Sequence, residues 1–294
     1  METKSNLYRK EKYYGYLFIL APVLGFLIFG LFPTLYSVYS SFTDMDGLGQ
    51  MNWIGLENYT ELFQDELFYK AMFNTLFMMI GIPIGLILAL LLALGLNRGI
   101  WGTTAFRVIY YIPVISSLAA ISILWQWAYN GDYGLVNQFL DLFGIEGPNW
   151  LADKYTVKPA IMLMAIWKGL GYTMLLYLAA IQSVPKDYYE AAELDGANSW
   201  QAFWNITWPM VRPVTFFLVV TNIIGGSQIF TEINIMTSTG GPEYSSASVV
   251  FYIWQKAFGN FQMGYASAMS VVLGLFIFIV TLIQFRLDKS SDNA

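Results

Sequence analysis

The chain has 294 residues, 56% of them hydrophobic and 12% charged, with a mean hydropathy of +0.51 and a formal net charge of -5. That apolar excess is more than a soluble core absorbs, so a bilayer is the solvent for much of the chain, and the acidic balance argues against a nucleic-acid partner. Cysteine and histidine are absent and no glycine is followed by lysine, which removes thiol catalysis, disulfides, Cys/His zinc sites, His-based triads and the GxxxxGK[ST] phosphate loop of an ATPase.

A spanning helix needs about 20 mostly apolar residues, and six intervals qualify. Residues 13–43, 71–97, 108–131, 213–231 and 257–285 carry no charge, and 159–185 carries one, Lys168. Continuous apolarity argues against a barrel, whose strands alternate over about 10 residues. The fold class is therefore an all-α polytopic membrane protein with six transmembrane helices. The first interval follows Lys4, Arg9, Lys10 and Lys12; it is longer than a signal peptide and shows no clear cleavage site, so it is expected to be retained. With the N-terminus inside, ten basic residues fall on inner segments and four (Lys70, Lys154, Lys158, Lys256) on outer ones, which places both termini in the cytoplasm. Eleven acids lie in the outer loops.

Between spans come an acidic outer segment from Asp44 to Lys70, a short inner turn from Asn97 to Arg107 and a second outer segment from about Tyr129 to Lys158. The inner segment Val184 to Pro213 is different, because it alternates charge with aromatics where linkers are usually polar and rich in Gly and Ser. It reads as two short helices. Pro185 suits an early helical position, Asp187 complements the N-terminal dipole, and Gly196 takes the left-handed conformation that ends the first helix. Asn198 or Ser199 caps the second, where Trp200, Phe203, Trp204 and Trp208 recur at helical spacing before Pro209 and Pro213 stop it. Such a face either meets a protein partner or lies in the lipid interface, and residue physics leaves both open.

The stretch EAAELDGANSWQAFWNITWPMVRP, residues 190–213, resembles the EAA loop of binding-protein-dependent ABC importer permeases. Glu190, Ala191, Ala192, Asp195, Gly196, Ala197, Phe203, Ile206, Pro209 and Pro213 stand at motif positions, while Trp208 replaces the usual leucine. NWIGLENYTELF, DYGLVNQ, TSTGGP and FGNFQMGYASAMS resemble the sugar and glycerol-3-phosphate subgroup, near the maltose-type permeases. The resemblance implies a type I importer permease in the prokaryotic cytoplasmic (inner) membrane. It would pair with a second homologous permease, two cytoplasmic ABC ATPase subunits and an external solute-binding protein. This chain would bind no cofactor, and ATP would be hydrolysed by the partner subunits. The loop from Lys186 to about Trp204 would be the coupling region: small Ala191, Ala192, Gly196 and Ala197 admit it to a groove, and Glu190 offers a charge to a basic residue of the ATPase. The implied organisation is 1–69 (cytoplasmic segment, first span, external segment), 70–286 (permease core with the 184–213 loop) and 287–294 (cytoplasmic tail).

Candidate substrate-pathway residues are Lys168, Asn222, Gln228 and Glu232. Lys168 should face the interior, either hydrogen-bonding a solute or snorkelling or pairing with Glu232. Asn222, Gln228, Glu232 and Asn234 around Gly225 and Gly226 line a cavity or act as interhelical glue. Trp125, Trp127 and Tyr129 are assigned to an aromatic belt rather than to sugar stacking. A secondary transporter or channel is the alternative, but it should carry coupling acids within several spans; an intramembrane enzyme lacks a catalytic set.

Overall fold

In the computed structural model the described residues are 4–99 and 102–291, with side chains for 11–99 and 102–288. The side chains of Lys4, Arg9 and Lys10, used above for orientation, and that of Lys289, one of the ten inner basic residues, lie outside these. Among the described residues the chain is helical, with one isolated bridge pairing Thr43 and Trp53.

In chain order the helices are α1 (Lys4–Phe26), α2 (Phe32–Ser40), α3 (Glu57–Leu62), α4 (Glu66–Met79), α5 (Gly81–Asn97), α6 (Thr103–Ile115), α7 (Leu118–Ala128) and α8 (Leu135–Asp141). Then come α9 (Val157–Gln182), α10 (Lys186–Leu194), α11 (Ser199–Ala202), α12 (Trp208–Gly226), α13 (Thr231–Met236), α14 (Val249–Trp254) and α15 (Met263–Ser291). Five continuous stretches are long and apolar enough to cross a membrane: Glu11–Ser40, Glu66–Asn97, Val157–Gln182, Ser199–Gly226 and Met263–Asp288. The expected third span is not one straight helix. Its two halves, α6 and α7, bend by 102°, because Ser116 and Ser117 are extended (ψ 146° and 132°) and Ser116 Oγ folds back onto the Ile112 carbonyl at 2.8 Å.

Proline explains two further irregularities. A π-turn at Leu27–Leu31 precedes Pro33, and another at Phe203–Thr207 precedes Pro209. In each the residue before the proline donates to the carbonyl five residues back, Phe32 to Leu27 and Trp208 to Phe203. The wider turn absorbs the ring that would otherwise clash with the carbonyl four residues back. Pro209 and Pro213 therefore do not stop the second loop helix as expected: helical backbone runs from Ser199 to Gly226 as a single stretch.

The chain divides into two units. One comprises the described residues up to Asp65 with Ile253–Gly274. In it Asn58, buried, donates to the carbonyls of Ser41 (2.9 Å) and Thr43 (2.8 Å), and Tyr265 donates to Asp65 at 2.7 Å. Asp44 accepts from the Asn52 amide and backbone N–H, which hold its carboxyl below the usual range.

The other unit comprises Glu66–Tyr252 with the described residues from Leu275. α9 is its centre. One core cluster gathers Ile161 and Met164 with Met78, Ile121, Ile233 and Phe251; a second gathers Met174, Tyr177 and Ile181 with Leu86, Ala89, Val211 and Leu218. Gly171 sets how closely α6 approaches, since a Cβ there would strike the Tyr110 carbonyl oxygen.

Candidate coupling loop and solute cavity

The loop after α9 is closed by a complete glycine cap. Gly196 sits at φ +80°, its N–H donates to the Glu193 carbonyl at 3.0 Å, and Ala197 N–H donates to the Ala192 carbonyl at 2.9 Å. These two bonds satisfy the last carbonyls of α10 and are available to glycine without strain. The next helix starts at once with a capping box: Asn198 Oδ1 accepts from Trp200 N (3.1 Å) and Gln201 N (3.0 Å), while Gln201 Oε1 accepts from Asn198 N at 2.8 Å. Of the two candidate caps, Asn198 is the one used.

Tyr189 and Thr207 share a hydroxyl–hydroxyl bond of 3.0 Å, tying α10 to the π-turn below α12. Glu190, Ala191, Asp195, Gly196 and Pro209 are exposed, and Ala192, Ala197, Phe203 and Ile206 are half-buried. The loop presents Leu194 (89% exposed) and Trp200 (69% exposed), and the rings of Trp200, Phe203, Trp204 and Trp208 contact in sequence at centroid distances of 5.1–6.2 Å. Contiguous apolar surface of this kind marks an interface.

A cavity of about 360 Å³ lies among α4, α5, α9, α12 and α13. Met78, Ile82, Met162 and Ile166 make its apolar walls, and Thr173, Thr221, Asn222, Gln228, Thr231 and Glu232 supply polar groups. Of the four pathway candidates, Asn222, Gln228 and Glu232 line it, whereas Lys168 does not. Lys168 is near enough to act electrostatically on Glu232 but forms no ion pair with it among the described residues. α12 ends at Gly226, short of the expected 231, so Gln228 and Glu232 arrive on the following turn and on α13 rather than on the fifth span. Asn222 donates its amide to the Leu218 carbonyl at 2.7 Å.

The belt assignment of Trp125 and Tyr129 is corrected. Tyr129 is fully buried, its hydroxyl donates to the Ala160 carbonyl at 2.9 Å, and its ring packs on Trp125 (5.1 Å) and Trp150 (5.7 Å), with Trp125 also against Trp167 (5.5 Å). The 102° break takes α7 off the line of α6, so the end of the apolar interval packs in the core. Trp127 stays exposed.

Polar residues missed in the sequence gather at the α9 end opposite the loop. Lys70 Nζ donates to the Glu243 carbonyl at 2.5 Å, Lys154 pairs with the Glu243 carboxylate at 3.4 Å, and Lys158 Nζ donates to Asn74 Oδ1 at 3.0 Å. Asn74 in turn donates to the carbonyls of Tyr244 (3.0 Å) and Ala247 (3.1 Å). Asn74 within an otherwise apolar interval was the available signal.

Apolar helices of spanning length, one interrupted by a sharp break, around a polar-lined cavity and ending in an exposed two-helix loop define a multispanning transport subunit. The chain belongs to the family described as "Binding-protein-dependent transport system inner membrane component", whose model matches residues 81–292. It is 35% identical to the probable ABC transporter permease protein YesP of Bacillus subtilis (strain 168), over 96% of this chain and 93% of that one. It is 34% identical to the lactose transport system permease protein LacF of Rhizobium radiobacter, over 96% of each. It superposes with TM-score 0.83 and 25% identity on a chain of the bacterial alginate ABC transporter in complex with an alginate pentasaccharide-bound periplasmic protein, covering 94% of this chain and 93% of that one. The chain is thus a membrane-spanning permease subunit of an ABC importer.

Proposed function

We propose that this subunit moves a carbohydrate across the cytoplasmic membrane as one half of a permease pair, receiving solute from an external binding protein and driven by two cytoplasmic ATPase subunits that grip the loop Lys186–Pro209. Both termini are then cytoplasmic. No ATP binds this chain, which has no phosphate loop. The names of the similar proteins support the solute class, one being a lactose permease and another part of an alginate transporter.

The carrying observation is the capped loop, whose second helix runs without a break through Ser199–Gly226 to the cavity-lining residues Thr221, Asn222 and Gly226. Small Ala191, Ala192, Gly196 and Ala197 let α10 enter a groove of the ATPase, Glu190 and Asp195 meet basic residues there, and Phe203, Ile206 and Pro209 brace the exit. Closure of the ATPase pair on ATP draws the loops together and rocks the spans from inward-facing to outward-facing. Asn222, Gln228 and Glu232 hydrogen-bond solute hydroxyls in passage. Lys168, outside the cavity lining, stabilises Glu232 from behind.

The test is reconstitution with the partner subunits in proteoliposomes, scoring oligosaccharide uptake and binding-protein-stimulated ATP hydrolysis. Gly196→Val should abolish both and release the ATPase subunits while the variant still inserts and pairs with the second permease. Normal uptake by Gly196→Val, with the ATPase retained, would overturn the assignment in favour of an interfacial helix.

A further inference from the structure

Of the four lysines assigned to the outer side, Lys154 pairs with the Glu243 carboxylate, Lys70 donates to the Glu243 backbone carbonyl and Lys158 donates to Asn74, although the outer segments as a whole hold eleven acids. Among the described residues Lys158 has no acid in contact: its ammonium is satisfied by Asn74 and by the faces of Phe73 (5.3 Å) and Phe77 (5.1 Å). Lys70 is near enough to repel it. Glu243 is itself held awkwardly, at φ +51° beside Tyr244 at φ +63°, where non-glycine residues persist only when their surroundings hold them. Its pair with Lys154 is exchangeable, the two side chains being 67% and 43% exposed.

The cluster stands over the cavity. Lys158 precedes Met162 by one turn on α9 and Asn74 precedes Met78 by one turn on α4, and both methionines are cavity walls. Inside, the cavity lining among the described residues offers no lysine or arginine to a travelling anion, so the anion that suits these lysines is one that stays at the mouth.

We infer that Lys70, Lys154 and Lys158 are the landing site for a carboxylate on the surface of the external solute-binding protein, with Glu243 as its stand-in while the permease is free. The inference rests on the importer reading above. An arriving carboxylate displaces Glu243 from Lys154 and frees the segment between Met236 and Val249, whose near end is the cavity-lining helix α13. Docking is thereby linked to the cavity wall.

The experiment uses the whole transporter in nanodiscs with its cognate binding protein, measuring association rate against ionic strength and stimulated ATP hydrolysis. Lys154→Gln with Lys158→Gln should slow association about tenfold at low salt and flatten its salt dependence, since charge complementarity acts mainly on the encounter rate. Glu243→Gln should act oppositely, speeding association by removing the internal competitor. If Glu243→Gln slows docking as the lysine variants do, the cluster is only a structural brace and the inference fails. It fails likewise if the lysine variants dock at the normal rate with normal salt dependence. Absence of binding-protein stimulation in the unaltered transporter would instead overturn the importer reading itself.

Discussion

At Gly196 the backbone alone sets the cost of a side chain, because a Cβ there meets nothing within 4 Å while φ is +80°. Substitution strains the turn by about 1–3 kcal/mol without a clash inside this chain, and a further penalty arises only when a partner closes over it. Tyr189 offers a milder probe. Tyr189→Phe deletes the bond to Thr207 at little change in volume, removing about 1 kcal/mol of loop stability. It should raise hydrogen exchange across α10 and lower stimulated ATPase activity several-fold; unchanged exchange would show that the bond does not hold the loop. Gly196 and its left-handed turn were legible in sequence, because helix-ending glycine chemistry is local. The bond between Tyr189 and Thr207 was not, since it depends on a π-turn that two prolines 4 residues apart do not announce.

Among elements, α9 carries the heaviest packing load, and its glycines separate cleanly. Gly171 faces the Tyr110 carbonyl, whereas Gly169 has open space within 4 Å. Gly171→Val should destabilise by about 2 kcal/mol or more, as overpacking against backbone does, and lower the Tm of the purified permease. Gly169→Ala should be neutral or stabilising by under about 1 kcal/mol, from helix propensity. Equal Tm values for the two would deny the close approach of α6. The intervals of apolar residues located five continuous spans and the bent pair α6 and α7, since composition decides what can face lipid. They did not reveal the break between α6 and α7, because Ser116 and Ser117 are ordinary in membrane helices and only tertiary packing selects their extended backbone. The inward fate of Trp125 and Tyr129 was hidden by the same break.

For the whole molecule, the ten-to-four distribution of Lys and Arg predicts that a reporter fused after Asp288 behaves as cytoplasmic and one inserted near Gly147 as external. Reversed labelling would invert the topology and put the EAA loop on the wrong side for an ATPase. The polar cavity was only half legible: Asn222, Gln228 and Glu232 stood out as polar residues near paired glycines, but Lys168 shares no lining with them, because it lies on another face of α9. The helical stretch Ser199–Gly226 has no extended break, so its 28 residues carry continuous helical backbone over a length of about 42 Å at about 1.5 Å per residue. Such a helix anchored at one end acts as a lever: a tilt of about 5° imposed beside Trp200 would sweep Asn222 and Gly226 through roughly 3 Å. That displacement is about the width of a water molecule and enough to break a hydrogen bond to a sugar hydroxyl. The prolines that might have cut the helix are instead housed in a π-turn and the helix beyond it, and the leverage survives.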